Sequence, residues 1–109
     1  MRRDEIPPGT LYLLILRTLA RRGEMRGYEI ANSIQQISED VLQVEEGSLY
    51  PALQRMLIKG WVTAKWGTMA GNRRARYYRL TAAGRRQLEV EVSQFQRVVE
   101  AITRVIQTA

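Results

Sequence analysis

Seven cations lie between residues 55 and 79: Arg55, Lys59, Lys65, Arg73, Arg74, Arg76 and Arg79. Glu45 and Glu46 precede them, and no further acid occurs before Glu89. Clustered cations with no acid among them suit the neutralisation of a polyanion. Gln54 and Arg55 add donors that reach base edges or phosphates. The blander reading of the same charges is a solvated surface kept for solubility, and charge alone does not choose between the two.

The residue types narrow the chemistry further. The chain has no histidine and no cysteine, which removes imidazole bases, thiolate nucleophiles, disulfides and Cys/His zinc sites. The candidate catalytic acids, Glu39/Asp40, Glu45/Glu46 and Glu89/Glu91, are adjacent or alternate and pair with no lysine or phosphate loop. Ser48 follows Glu46-Gly47 but has no elbow glycine after it and no base, so it reads as a helix cap. No enzyme, metal or cofactor is expected. Of the net charge of +6, residues 1–44 contribute nothing, residues 45–80 contribute +5 and the rest +1.

At 109 residues the chain fits one compact unit. Its longest apolar run, Leu11 to Leu16, falls far short of the ~20 residues of a membrane span. The start, from Met1 to Pro8, lacks the apolar core of a signal peptide. A cytoplasmic protein with no membrane partner is expected.

These residues must be positioned by a small set of elements. Pro7-Pro8-Gly9-Thr10 punctuates the start, with Thr10 as a helix cap. Leu11 to Leu19 is apolar nearly all round and predicts a central helix, ended by Arg21-Arg22-Gly23. Tyr28, Ile30, Ala31, Ile34 and Ile37 recur at helical spacing, predicting a second helix from about Gly27 to Ser38. Residues 39–44 read as either a helical extension or a loop. Gly47-Ser48 opens a third helix, with Ser48 as its cap, Pro51 in its first turn and Gly60 at its end. Trp61–Trp66 and Arg76–Leu80 alternate as strands, and Ala70-Gly71-Asn72-Arg73-Arg74 supplies the turn of a hairpin with an arginine-loaded tip. Thr81-Ala82-Ala83-Gly84 starts a last helix without a breaker.

Three helices followed by a basic hairpin form the winged helix-turn-helix arrangement, in which the third helix enters the major groove and the hairpin lies along the backbone or minor groove. Leu49, Leu53, Met56 and Leu57 form the core face of that third helix. Ser48, Pro51, Gln54, Arg55 and Ile58 face outward, with Tyr50 and Lys59 on the flanks. Ile58 is the misfit, either meeting a thymine methyl or packing against the wing. With the tip residues Asn72, Arg73, Arg74 and Arg76, the candidate DNA-binding set is Ser48, Tyr50, Pro51, Gln54, Arg55, Lys59, Asn72, Arg73, Arg74 and Arg76. An ordinary wet helix face is the alternative for the third helix alone; the unrelieved arginines next door favour a phosphate backbone.

Gly27-Tyr28-Glu29-Ile30, the run from Glu46 to Met56 and the run from Arg76 to Gly84 together resemble the PadR family of bacterial transcriptional regulators. The resemblance spans about Leu11 to Leu88, and the tail resembles the short branch with a single C-terminal helix. Glu45–Ser48 together with Asn72–Tyr78 resembles a subgroup frequent in acidobacterial genomes. Arg26 departs from the histidine, threonine or serine more usual before Gly-Tyr. The resemblance implies a repressor-like dimer, with Tyr50 and Arg55 at recognition-helix positions, Arg74 and Arg76 in the basic wing, and Tyr77 and Tyr78 as structural strand residues. It also implies frequent control by a small molecule, for which Phe95 is a candidate lining residue as well as a plain core residue.

Leu88, Val92, Phe95, Val99, Ile102 and Ile106 form a heptad seam on a helix ~39 Å long. Burying such side chains contributes ~1.5–3 kcal/mol each, so a homodimer through residues 81–109 is expected, with residues 1–80 as the DNA-binding part. Folding back on its own domain is the alternative. The fold class expected is mainly α (α+β), a winged helix-turn-helix with a two-stranded β wing and a long C-terminal dimerisation helix. The expected partners are double-stranded DNA with an inverted-repeat operator, a second copy and a small-molecule effector. A winged-helix protein-interaction module without DNA is the competing function; it has no need of arginines at the wing tip.

Overall fold

The computed structural model describes residue 6 and residues 9–108; the expected Pro7-Pro8 punctuation lies outside them. The elements are α1 (Leu11–Arg22), β1 (Met25–Arg26), α2 (Gly27–Ile37), α3 (Glu46–Ile58), β2 (Val62–Thr68), β3 (Arg74–Leu80) and α4 (Ala82–Gln107). The apolar first helix is central: α1 packs on α2, α3, α4 and β3, with Ile15, Leu16 and Leu19 buried. Gly23 ends it at φ 78°, a left-handed position that suits glycine.

The winged helix-turn-helix holds with one addition. The sheet has three antiparallel strands in the order β1-β3-β2, because Met25 and Arg26 pair with Tyr78 and Tyr77. A two-residue strand is too short to show alternation in sequence. The hairpin runs from Val62↔Leu80 to Thr68↔Arg74, longer at the tip than the alternation suggested. Its turn places Gly71 at φ 80° and Asn72 at φ 62°, and Met69 N–H donates to the Arg73 carbonyl at 2.6 Å.

The third helix starts earlier than expected. Glu45 is its N-cap, and the Glu45 carbonyl accepts from Ser48 and Leu49 N–H at 3.0 and 2.9 Å. Ser48 is therefore inside the first turn, and Pro51 lies in the second. Two acids at the helix start suit the dipole, and the Gly47 carbonyl that Pro51 leaves without a donor lies in an exposed turn. Residues 39–44 are a connection outside any helix, with Glu39 and Asp40 at positive φ. Two apolar residues of α2 are not core: Tyr28 and Ile37 are each 64% exposed, and the buried set is Gly27, Ile30, Ser33 and Ile34.

The junctions around the hairpin base are tight. Gly60 N–H donates to the Leu57 carbonyl and Trp61 N–H to the Met56 carbonyl, at 3.1 and 3.0 Å. This pair ends α3 as a Schellman motif around Gly60 at φ 77°. Thr81 then ties α4 to the same turn. Its hydroxyl accepts from Gly84 N–H at 3.0 Å and donates toward the Gly60 carbonyl at 2.6 Å. A Cβ on Gly84 would fall on the Trp61 carbonyl oxygen, so α4 reaches the hairpin base only because residue 84 has no side chain.

The heptad seam divides. Leu88 is buried in the chain's own core and Val92 is partly buried against it. Phe95, Val99, Ile102 and Ile106 stay exposed, as do Val98 and Val105. The molecule measures 60 × 36 × 21 Å, with an outer half of α4 that carries apolar residues far from its own core.

Candidate nucleic-acid interface

Alternation along the hairpin decides which side chains share a face. Leu80, Tyr78, Arg76 and Arg74 lie on one face of β3, opposite Val62, Ala64, Trp66 and Thr68. Val62, Leu80 and Tyr78 are buried in the core, and the face then continues outward as Trp66, Arg76 and Arg74. The Arg74 guanidinium carbon lies 5.1 Å from the Trp66 ring centroid, and that of Arg76 lies 5.9 Å from the Tyr78 ring. Both are cation–π distances, so the two arginines are held by rings, Arg74 exposed and Arg76 half-buried. On the opposite face Tyr77 leans over Gly67, where a Cβ would stand 2.7 Å from its ring. That face is less cationic in effect, because Lys65 Nζ pairs with Glu24 at 3.3 Å.

Tyr50 joins this wing to α3. Its ring lies on Gly27, where an added Cβ would stand 2.8 Å from Cε1 and 3.1 Å from Oη. The Gly-Tyr and Tyr-Pro motifs are therefore one contact: glycine opens α2 so that the α3 tyrosine can lie across it. Burial pushes the Tyr78 phenol above its ordinary range; Arg76 opposes that rise and the Tyr50 hydroxyl adds to it. Tyr50, Tyr78 and Arg76 are thus electrostatic neighbours. Tyr50 remains 44% exposed, outside the core.

The outward stripe of α3 is Gly47, Pro51, Gln54 and Ile58, all exposed and spaced four, three and four residues apart. Ile58 is 77% exposed, so it does not pack against the wing. Ser48 is exposed beside this stripe. Arg55 points elsewhere: its Nε donates to Tyr12 Oη at 2.6 Å, leaving the two Nη groups for an outside acceptor. Lys59 Nζ lies 5.1 Å from the Trp61 ring, and Tyr12 meets that ring edge-on at 5.3 Å. Arg55 and Lys59 therefore form a second cationic group near α1, apart from Arg74 and Arg76. Arg73 and Asn72 are exposed at the tip, with Asn72 serving the turn through its left-handed backbone.

Several contributors escaped the sequence reading. Trp66 is 59% exposed and cradles Arg74; an exposed tryptophan alternating into an arginine hairpin is a signal that was there to be read. Tyr12, which holds Arg55, had no local signal. Arg26, which replaces the more usual residue before Gly-Tyr, donates its N–H to Glu29 Oε1 at 2.9 Å and its Nη1 to Met69 Sδ at 3.3 Å. It thereby ties the start of α2 to the wing turn.

Three helices, a basic hairpin and an exposed stripe on the third helix define a winged helix-turn-helix regulator. Comparison with known proteins places it more narrowly. Residues 15–90 match the model of the transcriptional regulator PadR-like family, and the chain belongs to that family. It is 31% identical over 102 residues to an uncharacterized protein of Lysinibacillus sphaericus, covering 94% of this chain and 93% of that one. A transcriptional regulator from Clostridium thermocellum superposes with a TM-score of 0.83 at 24% identity, covering 91% and 95% of the two chains. Bacillus subtilis PadR in complex with operator DNA superposes at 0.66 with 24% identity, over 75% of this chain and 46% of that one.

Proposed function

We propose that this protein is a homodimeric, sequence-specific DNA-binding repressor, acting in the cytoplasm on an inverted-repeat operator and controlled by a small molecule. The observation that carries the reading is a band of side chains made by the exposed α3 stripe, Tyr50 against Gly27, and Arg74 on Trp66 with Arg76 over Tyr78 on the hairpin. In this reading the stripe enters the major groove, where Gln54 reads a base edge and Pro51 and Ile58 offer apolar contact to thymine methyls. Ser48 and Tyr50 approach phosphate at the start of the helix. Arg73, Arg74 and Arg76 neutralise the backbone beside it, with Asn72 at the turn, and release counterions. Arg55 and Lys59 take phosphates on the α1 side. The likeness to a PadR in complex with operator DNA supports a DNA partner.

The second copy follows from α4. Phe95, Val99, Ile102 and Ile106, together with Val98 and Val105, would lie against the partner's helix, while residues 1–80 hold the DNA. Two-fold symmetry sets the two α3 helices about one DNA turn, ~34 Å, apart. Repression then needs only that the bound dimer occupies the promoter.

Selection from a random duplex pool at two salt concentrations tests the reading, alongside sedimentation of the free protein. An enriched palindrome whose affinity falls steeply with salt is the expected result. A dimer that enriches no sequence would leave the fold as a protein-interaction module, and a monomer would remove the symmetry argument.

A further inference from the structure

Residues of α1, α2 and the connection after α2 line a cavity of about 210 Å³. Leu14, Ile34 and Leu42 are among its apolar walls, and Arg17, Arg21 and Arg22 also line it. These arginines are exposed, so they stand at its mouth, and no acidic or aromatic side chain among the described residues lines it. Inside is Ser33, only 5% exposed, whose Oγ has no hydrogen-bond partner. A buried hydroxyl left unpaired costs free energy that a partner would recover. By contrast, the other two hydroxyls of the lining are satisfied: Thr18 donates to the Leu14 carbonyl at 2.7 Å and Ser38 accepts from Leu42 N–H at 3.0 Å.

We propose that this cavity is a binding site for a small aliphatic carboxylate that carries a second polar atom at its far end. The carboxylate takes the arginines at the mouth, the aliphatic body takes the leucine and isoleucine walls, and the far polar atom pairs with Ser33 Oγ. The volume lies below the roughly 300–1,000 Å³ of drug-sized sites, which limits the ligand to a short chain. The absence of a ring among the lining residues gives an aromatic ligand nothing to stack on. Three exposed cations with no acid in the lining favour an anion there, and a second copy's α4 answers poorly, since Glu100 is the one acid on its outer half.

The site has a route to DNA. Leu42 is both a wall and a residue of the α2–α3 connection, held by Ser38 three residues before the α3 cap Glu45. Only this consequence rests on the regulator reading, and occupancy itself is measurable without DNA.

The test is titration of the full-length, DNA-free protein with 8-hydroxyoctanoate, octanoate and octanol, followed by amide chemical shifts and calorimetry. Saturable shifts at Thr18, Ser33, Ile34 and Leu42 are expected, with the hydroxy acid about fivefold tighter than octanoate. Ser33→Ala should erase that preference while raising the melting temperature of the unliganded protein. Arg17→Gln should weaken both acids severalfold and leave octanol unchanged, and Arg21→Gln repeats the measurement should that variant fold poorly. The proposal is overturned by unsaturable shifts, by shifts confined to α4, or by equal affinity for the two acids. It is also overturned if the same amides shift with protein concentration alone, which would give the cavity to a second copy. A chain that binds the acid but no duplex sinks the regulator reading and leaves this one standing.

Discussion

The base and the tip of the hairpin share one face of the same two strands, yet they do opposite things. At the base Val62, Tyr78 and Leu80 are core, locked to α3 and α4 through Gly60, Thr81 and Gly84. Two residue pairs further out the same face carries a half-buried Arg76 and presents Trp66 and Arg74 to solvent. The strand geometry does not change between them; what changes is whether anything packs above. The base fixes where the tip points, so a charged surface needs no packing of its own to be positioned. The two regions should therefore separate cleanly under mutation.

The largest effect should come from the base. Gly84→Ala drives a Cβ onto the Trp61 carbonyl and to 2.7 Å from Leu80 Cδ1, and backbone cannot yield as a side chain does. Overpacking of this kind costs about 3 kcal/mol, read as a fall in melting temperature on the order of 10–20 °C. A variant that melts like the wild type would show that α4 is free to slide on the hairpin.

Replacing Arg74 and Arg76 together by alanine should do the reverse. Each lost phosphate contact should lower the slope of log affinity against log salt by about 0.9, with weakening on every sequence. Thermal stability should fall by no more than about 1–2 kcal/mol, since cation–π contacts near the surface contribute roughly 0.5–1 kcal/mol each. Unchanged slopes would remove the tip from DNA contact, and a large loss of stability would erase the contrast with the base.

Gly27→Ala probes the seam between the regions. The new methyl meets the Tyr50 ring at 2.8 Å, a side chain that is able to swing away, so the expected stability cost is smaller, about 1–2 kcal/mol. DNA affinity should fall with it because the ring leaves the band. Adding Tyr50→Ala should restore most of the stability and none of the affinity. If the double variant stays as unstable as the single one, the glycine serves backbone conformation and not the tyrosine.

Much of this was legible in the sequence. Helix order, the hairpin, the Thr81 cap and the Gly60 stop each carry a local signature, because caps and turns are local chemistry. The start of α3 misled: Ser48 is the better side-chain cap by type, but the chain uses the Glu45 carbonyl and admits Pro51 into the second turn. The heptad seam was legible as a pattern but not in its division, since the period is the same where Leu88 meets its own core and where Ile102 meets none. Pairings across the chain were out of reach. Tyr12 with Arg55 and Tyr50 with Gly27 join positions whose approach only the fold decides.

The smallest predicted effect sits where β1 meets the middle of the hairpin. Arg26 pairs with Tyr77 and its N–H donates to the Glu29 carboxylate at 2.9 Å. That backbone hydrogen bond is the main reason the Glu29 carboxyl is held below its ordinary value of 4.5, with the Arg26 guanidinium 3.2 Å away assisting against partial burial. A carboxyl whose pKa is lowered by folding binds protons more readily when unfolded, so its contribution is complete above about pH 4.5 and vanishes as pH falls through the lower, folded value. Glu29 is 41% exposed, which screens the interaction to a few tenths of a kcal/mol. Glu29→Gln should therefore lower stability slightly at neutral pH and converge with the wild type in acid. Urea titrations at pH 7 and pH 3 measure this, and a difference that grows toward acid would mean that α2 is not held at the hairpin by this carboxylate.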